Sequence, residues 1–283
     1  MKGGARKGNR APIAVLAVDM DDTLLNSQRD ISPRTRRAIA EAQSRGVRVV
    51  LATGRMYSSA RPYAEQLRLR GPLITYNGAL VKTVEGKVLS HRPIPLEAAQ
   101  EVLDLGAQAR WLTYVYVDDR MFVSEINDVV RRYMSISRRP AYPVVDLRRF
   151  LQADPTKIIF VGRDGEESAA IIAAVKERLG EELEITQSNP RFVELTQRGV
   201  SKGTALEGVA EYFEVPLSRI MAIGDGFNDL DMIRTAGMGI AVANAPEPVR
   251  AAADHVTTSN DEDGVALAIE RWILHQPGLE LAT

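Results

Sequence analysis

The 283-residue chain contains no cysteine, which excludes disulfides, thiolate catalysis and cysteine-ligated zinc or iron–sulfur sites. Histidine is almost as scarce. His91, His255 and His275 lie far apart in sequence, so no histidine-based metal cluster is expected and each reads as a surface or packing residue. Acidic and basic residues nearly cancel, leaving a net charge of −1, and without a global basic field the chain lacks the footprint of a general nucleic-acid binder. No apolar run approaches the length of a membrane span. Residues 1–11 are basic and glycine-rich with no hydrophobic segment behind them, so they read as a disordered tail and not as a secretory signal. A cytoplasmic location is expected, with neither a nucleic-acid polymer nor a membrane as partner.

What the chain does have is an ordinary apolar content, 45%, with 26% charged residues, and enough length for two domains at about 150 residues each. The most informative stretch runs from Ile13 to Leu25. Ile13–Val18 is apolar without period-two alternation, the pattern of a strand buried on both faces of a parallel sheet. It ends in Asp19, Asp21 and Asp22, and ligands of open α/β sheets sit at such carboxyl ends. Crowded carboxylates repel one another unless a cation or a shared proton intervenes. The simplest relief is a hard metal ion with oxygen ligands, Mg2+.

The following segments read as alternating helices and strands. Ser32-Pro33 opens a helix that Gly46 closes. Val47–Ala52 is a second buried strand, stopping at Thr53-Gly54-Arg55. A right-handed crossover makes the two strands parallel, which puts Thr53 at the same sheet edge as Asp19, where a hydroxyl followed by glycine can donate to a phosphate. After a third strand, Leu73–Tyr76, Asn77-Gly78 reads as a tight turn that also borders the site, with a hairpin about Glu85-Gly86 beyond it. Much later, Ser201-Lys202-Gly203 opens a helix. A cation there opposes the macrodipole unless an anion is close, and a first-turn lysine is expected to lie outside the core. Ile220–Gly224 is another apolar strand, ending in Asp225 with Asn228 and Asp229 just after it.

Between these blocks, over 85–191, the pattern changes. Leu112–Val117 alternates as a half-buried strand does, Arg120–Ser124 returns against it, and helices are expected near 96–109, 127–137 and 166–179. Strands paired with helices, one sheet face exposed, read as α+β. Arg131, Arg132, Arg138 and Arg139 read as a solvated helix face rather than an anion subsite, and Tyr114 and Tyr116 as one packed strand face. Phe192–Thr196 is expected to return the chain to the first unit.

Taken in order, Asp19-Met20-Asp21-Asp22-Thr23-Leu24, Thr53-Gly54-Arg55, Lys202 and Gly224–Asp229 resemble the four motifs of the haloacid-dehalogenase (HAD) superfamily of phosphatases. The length of the insertion resembles the Cof-like hydrolase branch, which carries a large cap between its second and third motifs. The resemblance spans Ile13 to Leu274. It implies an α/β core with a doubly wound parallel, Rossmann-like sheet (12–84 and 192–283) and an inserted α+β cap (85–191) that selects the substrate. It further implies Asp19 as nucleophile and Asp21 as acid and base, with Thr53, Gly54, Lys202 and Asn228 binding phosphate. Mg2+ would be held by Asp19, the Asp21 backbone carbonyl, Asp225 and Asp229, and Arg55, Asn77 and Gly78 would border the substrate. The activity implied is Mg2+-dependent hydrolysis of a small phosphorylated metabolite (a sugar phosphate, nucleotide or cofactor phosphate) through an aspartyl-phosphate. The alternatives are a phosphotransferase or mutase on the same scaffold, and a non-catalytic phosphoacceptor like a receiver domain. Against the last stand Asp21, the ordered Lys202 and the cap, which a receiver does not need.

Overall fold

A computed structural model of the protein describes residues 11–274; all of the expected tail except Ala11, together with His275, lies outside the described residues. The first unit begins with β1 (Val15–Val18), α1 (Pro33–Ser44), β2 (Arg48–Leu51), α2 (Tyr57–Gln66), β3 (Pro72–Thr75), β4 (Leu80–Thr83) and β5 (Val88–His91). The insertion follows as α3 (Leu96–Ala109), β6 (Leu112–Val117), β7 (Arg120–Val123), α4 (Asp128–Ser137), β8 (Ala141–Pro143), α5 (Leu147–Phe150), β9 (Lys157–Val161), α6 (Gly165–Leu179), β10 (Leu183–Asn189) and β11 (Phe192–Gln197). The chain then completes the first unit with α7 (Lys202–Tyr212), β12 (Ile220–Gly224), α8 (Leu230–Thr235), β13 (Met238–Ala241), α9 (Glu247–Ala252), β14 (His255–Val256) and α10 (Gly264–Ile269). Among the described residues no helix is long and apolar enough to cross a membrane.

The main sheet has the order β14-β13-β12-β1-β2, every pair parallel, and a parallel bridge between Ala52 and Ile74 ties β3 to its edge. β1 is central, and its side chains alternate between two cores. Leu16 and Val18 pack with residues of α1, α2 and α10, while Val15 and Ala17 pack with residues of α7 and α8. That two-sided burial is why the strand shows no polar alternation; each valine or leucine so buried contributes about 1.5–3 kcal/mol relative to an exposed one. Because β1 lies between β2 and β12, the chain emerges from three adjacent strand ends at Asp19, Thr53 and Asp225.

The inserted sheet, β10-β11-β9-β6-β7-β8, is antiparallel except for β7–β8. The Asp118-Asp119 turn between β6 and β7 has φ of 50° and 57°, the left-handed pair that matches hairpin twist. Along the central strands β6, β9 and β11 neither face of this sheet is left exposed, contrary to the sequence expectation. Val115, Ile158 and Phe160 pack beneath α3 and α6, whereas Tyr114, Tyr116 and Ile159 join the first unit's Met56, Tyr57 and Tyr76 in one cluster. The alternation in β6 is between aromatic and aliphatic side chains, not between apolar and polar ones, so both faces seek cover.

Two further expectations are corrected. Phe192–Thr196 does not return to the first unit: β11 pairs with both β9 and β10, so the return comes after Gln197. At the other boundary, β5 still pairs with β4, and the chain stays with the first unit past residue 85. The insertion is fastened to the start of α2. Asp119 accepts from the Ser58 N–H (2.9 Å) and the Tyr76 hydroxyl (2.7 Å), Ser59 donates to the Ser137 carbonyl (2.7 Å), and Arg139 donates to the Ser58 carbonyl.

Gly78, at φ +102°, carries the close approach between the β3–β4 turn and the start of α7: a Cβ there would penetrate the Ser201 carbonyl. Gly78→Ala therefore combines a disfavoured backbone with a backbone clash, and is expected to cost about 2 kcal/mol or more. The shift in urea midpoint measures it; an unchanged midpoint would contradict the packing described.

Candidate active site

Three carboxylates meet at the carboxyl ends of β1 and β12. Oxygens of Asp19, Asp225 and Asp229 all lie within 4.8 Å of one another. Lys202 sits among them, its Nζ 2.5 Å from Asp19 Oδ1 and 2.6 Å from Asp229 Oδ1, and it is 0% exposed. The expectation of a lysine outside the core is thus overturned. The Ser201 side chain caps α7, and its first turn points inward, so the local unfavourable dipole is outweighed by two carboxylates. Asp229 is held in turn, its Oδ2 accepting the N–H groups of Asp225 (3.1 Å) and Gly226 (2.9 Å). Thr23 donates to Asp225 Oδ1 at 2.7 Å.

Burial, reinforced by Asp229, pushes the Asp19 carboxyl well above the ordinary range despite Lys202. The same two causes push Asp225 up to about 7. Burial alone would lower the Lys202 pKa, but Asp19 and Asp229 more than reverse that and raise it. Three carboxylates facing one ammonium leave an excess of buried negative charge. Oxygen donors that converge, resist ionisation together and lack a histidine or cysteine neighbour suit a hard divalent cation.

Around this floor stand the groups suited to an anion. Thr53 Oγ1 accepts the Arg55 N–H at 3.1 Å, leaving the hydroxyl proton to point elsewhere. Gly54 packs so closely on Asn77 that a Cβ would lie 2.9 Å from Asn77 Oδ1. Asn228 donates one of its amide hydrogens to that same oxygen at 3.1 Å. Asp21 is gripped by Arg55 through Nε (2.7 Å) and Nη2 (2.5 Å) and by Arg29 at 3.3 Å. The Arg55 guanidinium also lies over the Tyr63 ring, 5.3 Å from its centroid.

These groups surround one cavity of about 420 Å³, walled on the first unit by Asp19, Asp21, Thr53, Gly54, Asp225 and Asn228. Arg55 also lines it, whereas Asn77 and Gly78 do not. Lys202 and Asp229 stand beneath the floor. The insertion closes the other side with Val129, Arg132, Tyr133 and Ile136 of α4 and with Arg191 and Phe192. Arg132 lines the cavity while staying solvent-exposed, and Arg131 pairs on the surface with Asp128. Residues 129, 132, 133 and 136 follow i, i+3, i+4, i+7 spacing, a stripe that the sequence displays. Arg29 carried no comparable signal; it arrives from a loop at φ 61°.

Residues 16–269 match the haloacid dehalogenase-like hydrolase family. The chain belongs to that family. It is 33% identical over 262 residues to a 5-amino-6-(5-phospho-D-ribitylamino)uracil phosphatase of Bacillus subtilis, covering 93% of this chain and 96% of the relative. A haloacid dehalogenase-like hydrolase from Bacteroides thetaiotaomicron superposes with a TM-score of 0.83 at 31% identity, over 92% of this chain and 99% of that one. A HAD subclass IIB sugar phosphatase does so with a TM-score of 0.80 at 26% identity, over 90% and 97%. The protein is a HAD-type phosphatase with the parallel core and inserted second sheet of its structural neighbours.

In this HAD-family site, Lys202→Met would leave Asp19 and Asp229 buried without their ammonium. Removing one partner of a buried charge cluster costs about 3–5 kcal/mol, so the variant is expected to unfold at markedly lower urea than wild type when divalent metal is absent. Equal midpoints would show that Lys202 is not neutralising the pair.

Proposed function

We propose that the protein is a Mg2+-dependent phosphomonoesterase that hydrolyses a small phosphorylated metabolite through an aspartyl-phosphate on Asp19. The observation that carries this reading is the convergence of Asp19, Asp225, Asp229 and Lys202 at the base of a cavity roofed by the insertion. Asp19, Asp225 and Asp229, with the Asp21 backbone carbonyl implied by the family motif, would hold Mg2+, which supplies positive charge to the phosphoryl oxygens and to the nucleophile.

The residues divide the work. Lys202 donates to Asp19 Oδ1 and offsets its negative charge on one side, leaving Asp19 Oδ2, which takes no protein hydrogen bond among the described residues, to attack phosphorus. Two unit charges about 4 Å apart repel by about 1 kcal/mol in water and several times more in a shielded site, so the Lys202 cation matters to the approach of carboxylate and phosphate. The Thr53 hydroxyl, the Gly54 N–H and the Asn228 amide orient the phosphoryl oxygens. As the bond from phosphorus to the leaving oxygen breaks, protonated Asp21 delivers its proton to that oxygen. Asp21, now a carboxylate, takes a proton from the water that attacks the aspartyl-phosphate, which returns Asp19 and releases phosphate. Arg55 and Arg29 aim the Asp21 carboxylate at the cavity, the form that takes the proton from water in the second step, and this grip loosens when Asp21 carries a proton in the first. The insertion excludes bulk water from the first step.

Relatives act on 5-amino-6-(5-phospho-D-ribitylamino)uracil and on HMP-PP, and a structural neighbour is a sugar phosphatase. A substrate of that size class fits a cavity of about 420 Å³.

The test uses p-nitrophenyl phosphate, whose leaving group needs little protonation. Phosphate release should vanish with chelator and return with Mg2+. After rapid quenching, intact mass should show an added phosphoryl group in Asp21→Asn, which forms the intermediate but hydrolyses it slowly, and none in Asp19→Asn. Turnover of Asp19→Asn at the wild-type rate would reject the covalent route.

A further inference from the structure

Lys157 and Glu194 take no part in these steps, yet they are among the most deeply buried charged groups of the molecule, each 2% exposed. Both belong to the inserted sheet, on β9 and β11. Lys157 Nζ donates to Glu194 Oε2 at 2.7 Å and to the Gly54 carbonyl of the first unit at 2.6 Å. It also stands between the rings of Tyr76 and Tyr116, 5.8 and 5.3 Å from their centroids. Glu194 Oε2 accepts the Asn77 amide at 2.9 Å, and Asn77 Oδ1 accepts from Asn228. Hydrogen bonds therefore run from the inserted sheet to the Gly54 carbonyl beside Thr53 and, through Asn77, to Asn228, a group assigned to phosphate.

The Gly54 end of this path is mechanically direct. The Gly54 C=O and the Arg55 N–H belong to one planar peptide unit and point in opposite directions. Lys157 holds the carbonyl, and the N–H at the other end donates to Thr53 Oγ1. Fixing that plane occupies the Thr53 lone pair on the protein side and leaves its proton free. At the other end, Glu194 settles which way the Asn77 amide faces: its Nδ2 toward the carboxylate, its Oδ1 toward Asn228. Removing two charges from water costs several kcal/mol per ion, and apolar replacements of such pairs are often as stable or more so. Simple adhesion between the two units does not need this pair; orienting polar groups at a phosphate site does.

We propose that Lys157 and Glu194 are positioning residues for phosphoryl transfer: seated with the inserted sheet against the first unit, they set Thr53 and Asn228 for the phosphate. The proposal rests on the phosphatase reading above. It makes the phosphate site a property of the closed molecule, because two of its orienting bonds, to the Gly54 carbonyl and the Asn77 amide, come from the insertion and are lost when the insertion lifts.

The test compares wild type with Lys157→Met/Glu194→Gln, which removes both charges together and keeps an acceptor for Asn77. Inorganic phosphate is the ligand, read as its inhibition constant against p-nitrophenyl phosphate with Mg2+. Amide hydrogen exchange of the peptides covering 53–55 and 76–78 is followed in parallel. The expected result is an inhibition constant raised about tenfold or more, the scale of losing a hydrogen bond to a charged group, with faster exchange in both peptides and a Mg2+ half-saturation within about twofold of wild type. A role in stability alone would lower the unfolding midpoint without moving the inhibition constant. Glu194→Asp, which keeps both charges but draws the carboxylate back from the Asn77 amide, should shift both readouts in the same direction by less, and carries the test if the double variant is poorly folded. Unchanged inhibition and unchanged exchange would overturn the proposal. Faster exchange in a protein whose wild type neither binds nor releases phosphate would uphold the coupling and remove the phosphatase reading instead.

Discussion

Asp19, Asp225 and Asp229 are brought within 4.8 Å of one another around a single buried ammonium. Such an arrangement is electrostatically incomplete: desolvation and mutual repulsion raise Asp19 and Asp225 toward protonation, and one lysine does not offset three carboxylates. Much of the molecule exists to hold this unfavourable cluster in place. Strand β1 is buried on both faces and flanked by β2 and β12 in parallel register, so residues about two hundred positions apart in sequence meet at a fixed separation. Helix α7 is capped and packed such that its first residue, Lys202, reaches inward. Backbone N–H groups at the end of β12 hold Asp229. A strained charge cluster supported by a rigid frame is what electrostatic catalysis requires, since the stabilising partners arrive only with the metal and the phosphate.

The insertion completes the site without supplying its nucleophile or metal ligands. One face of its sheet packs on its own helices and the other on the first unit, so the two units share a core across the cavity. Its polar contributions are of two kinds. Arg132, Arg191 and the apolar stripe of α4 line the cavity, where a leaving group would lie. Lys157 and Glu194 also line the cavity, and from there they hydrogen-bond to the loops that carry Gly54 and Asn77.

The chemistry of the site was legible in the sequence because it is written as interruptions: apolar strands that stop abruptly at Asp19, Thr53 and Asp225. Residues whose roles depend on long-range packing were less legible. Lys202 reads as a surface lysine if judged by its place in a helix, and its complete burial follows only from strands distant in sequence. Lys157 begins an apolar strand and Glu194 lies inside another, and nothing local distinguishes a strand-end lysine that caps a sheet from one that crosses to another unit. The boundary misread at Phe192 has a similar origin. A strand of either sheet has the same local pattern, and only its partners β9 and β10 decide its membership. The aromatic–aliphatic alternation of β6 likewise resembles half-burial unless the polarity of both sets is weighed.

The central claim is that the buried negative charge is completed by a divalent cation, and calorimetric titration of Mg2+ into metal-free protein in buffers of different ionisation enthalpy tests it most directly. With Asp19 raised and Asp225 near 7, part of the cluster is protonated at pH 6.5, and a cation that needs the carboxylates must displace those protons. Saturable binding with net proton release at pH 6.5 is expected, falling by pH 8.5 and reduced in Asp225→Asn. Mg2+ binding with no proton release at pH 6.5, or no saturable binding at either pH, would contradict it.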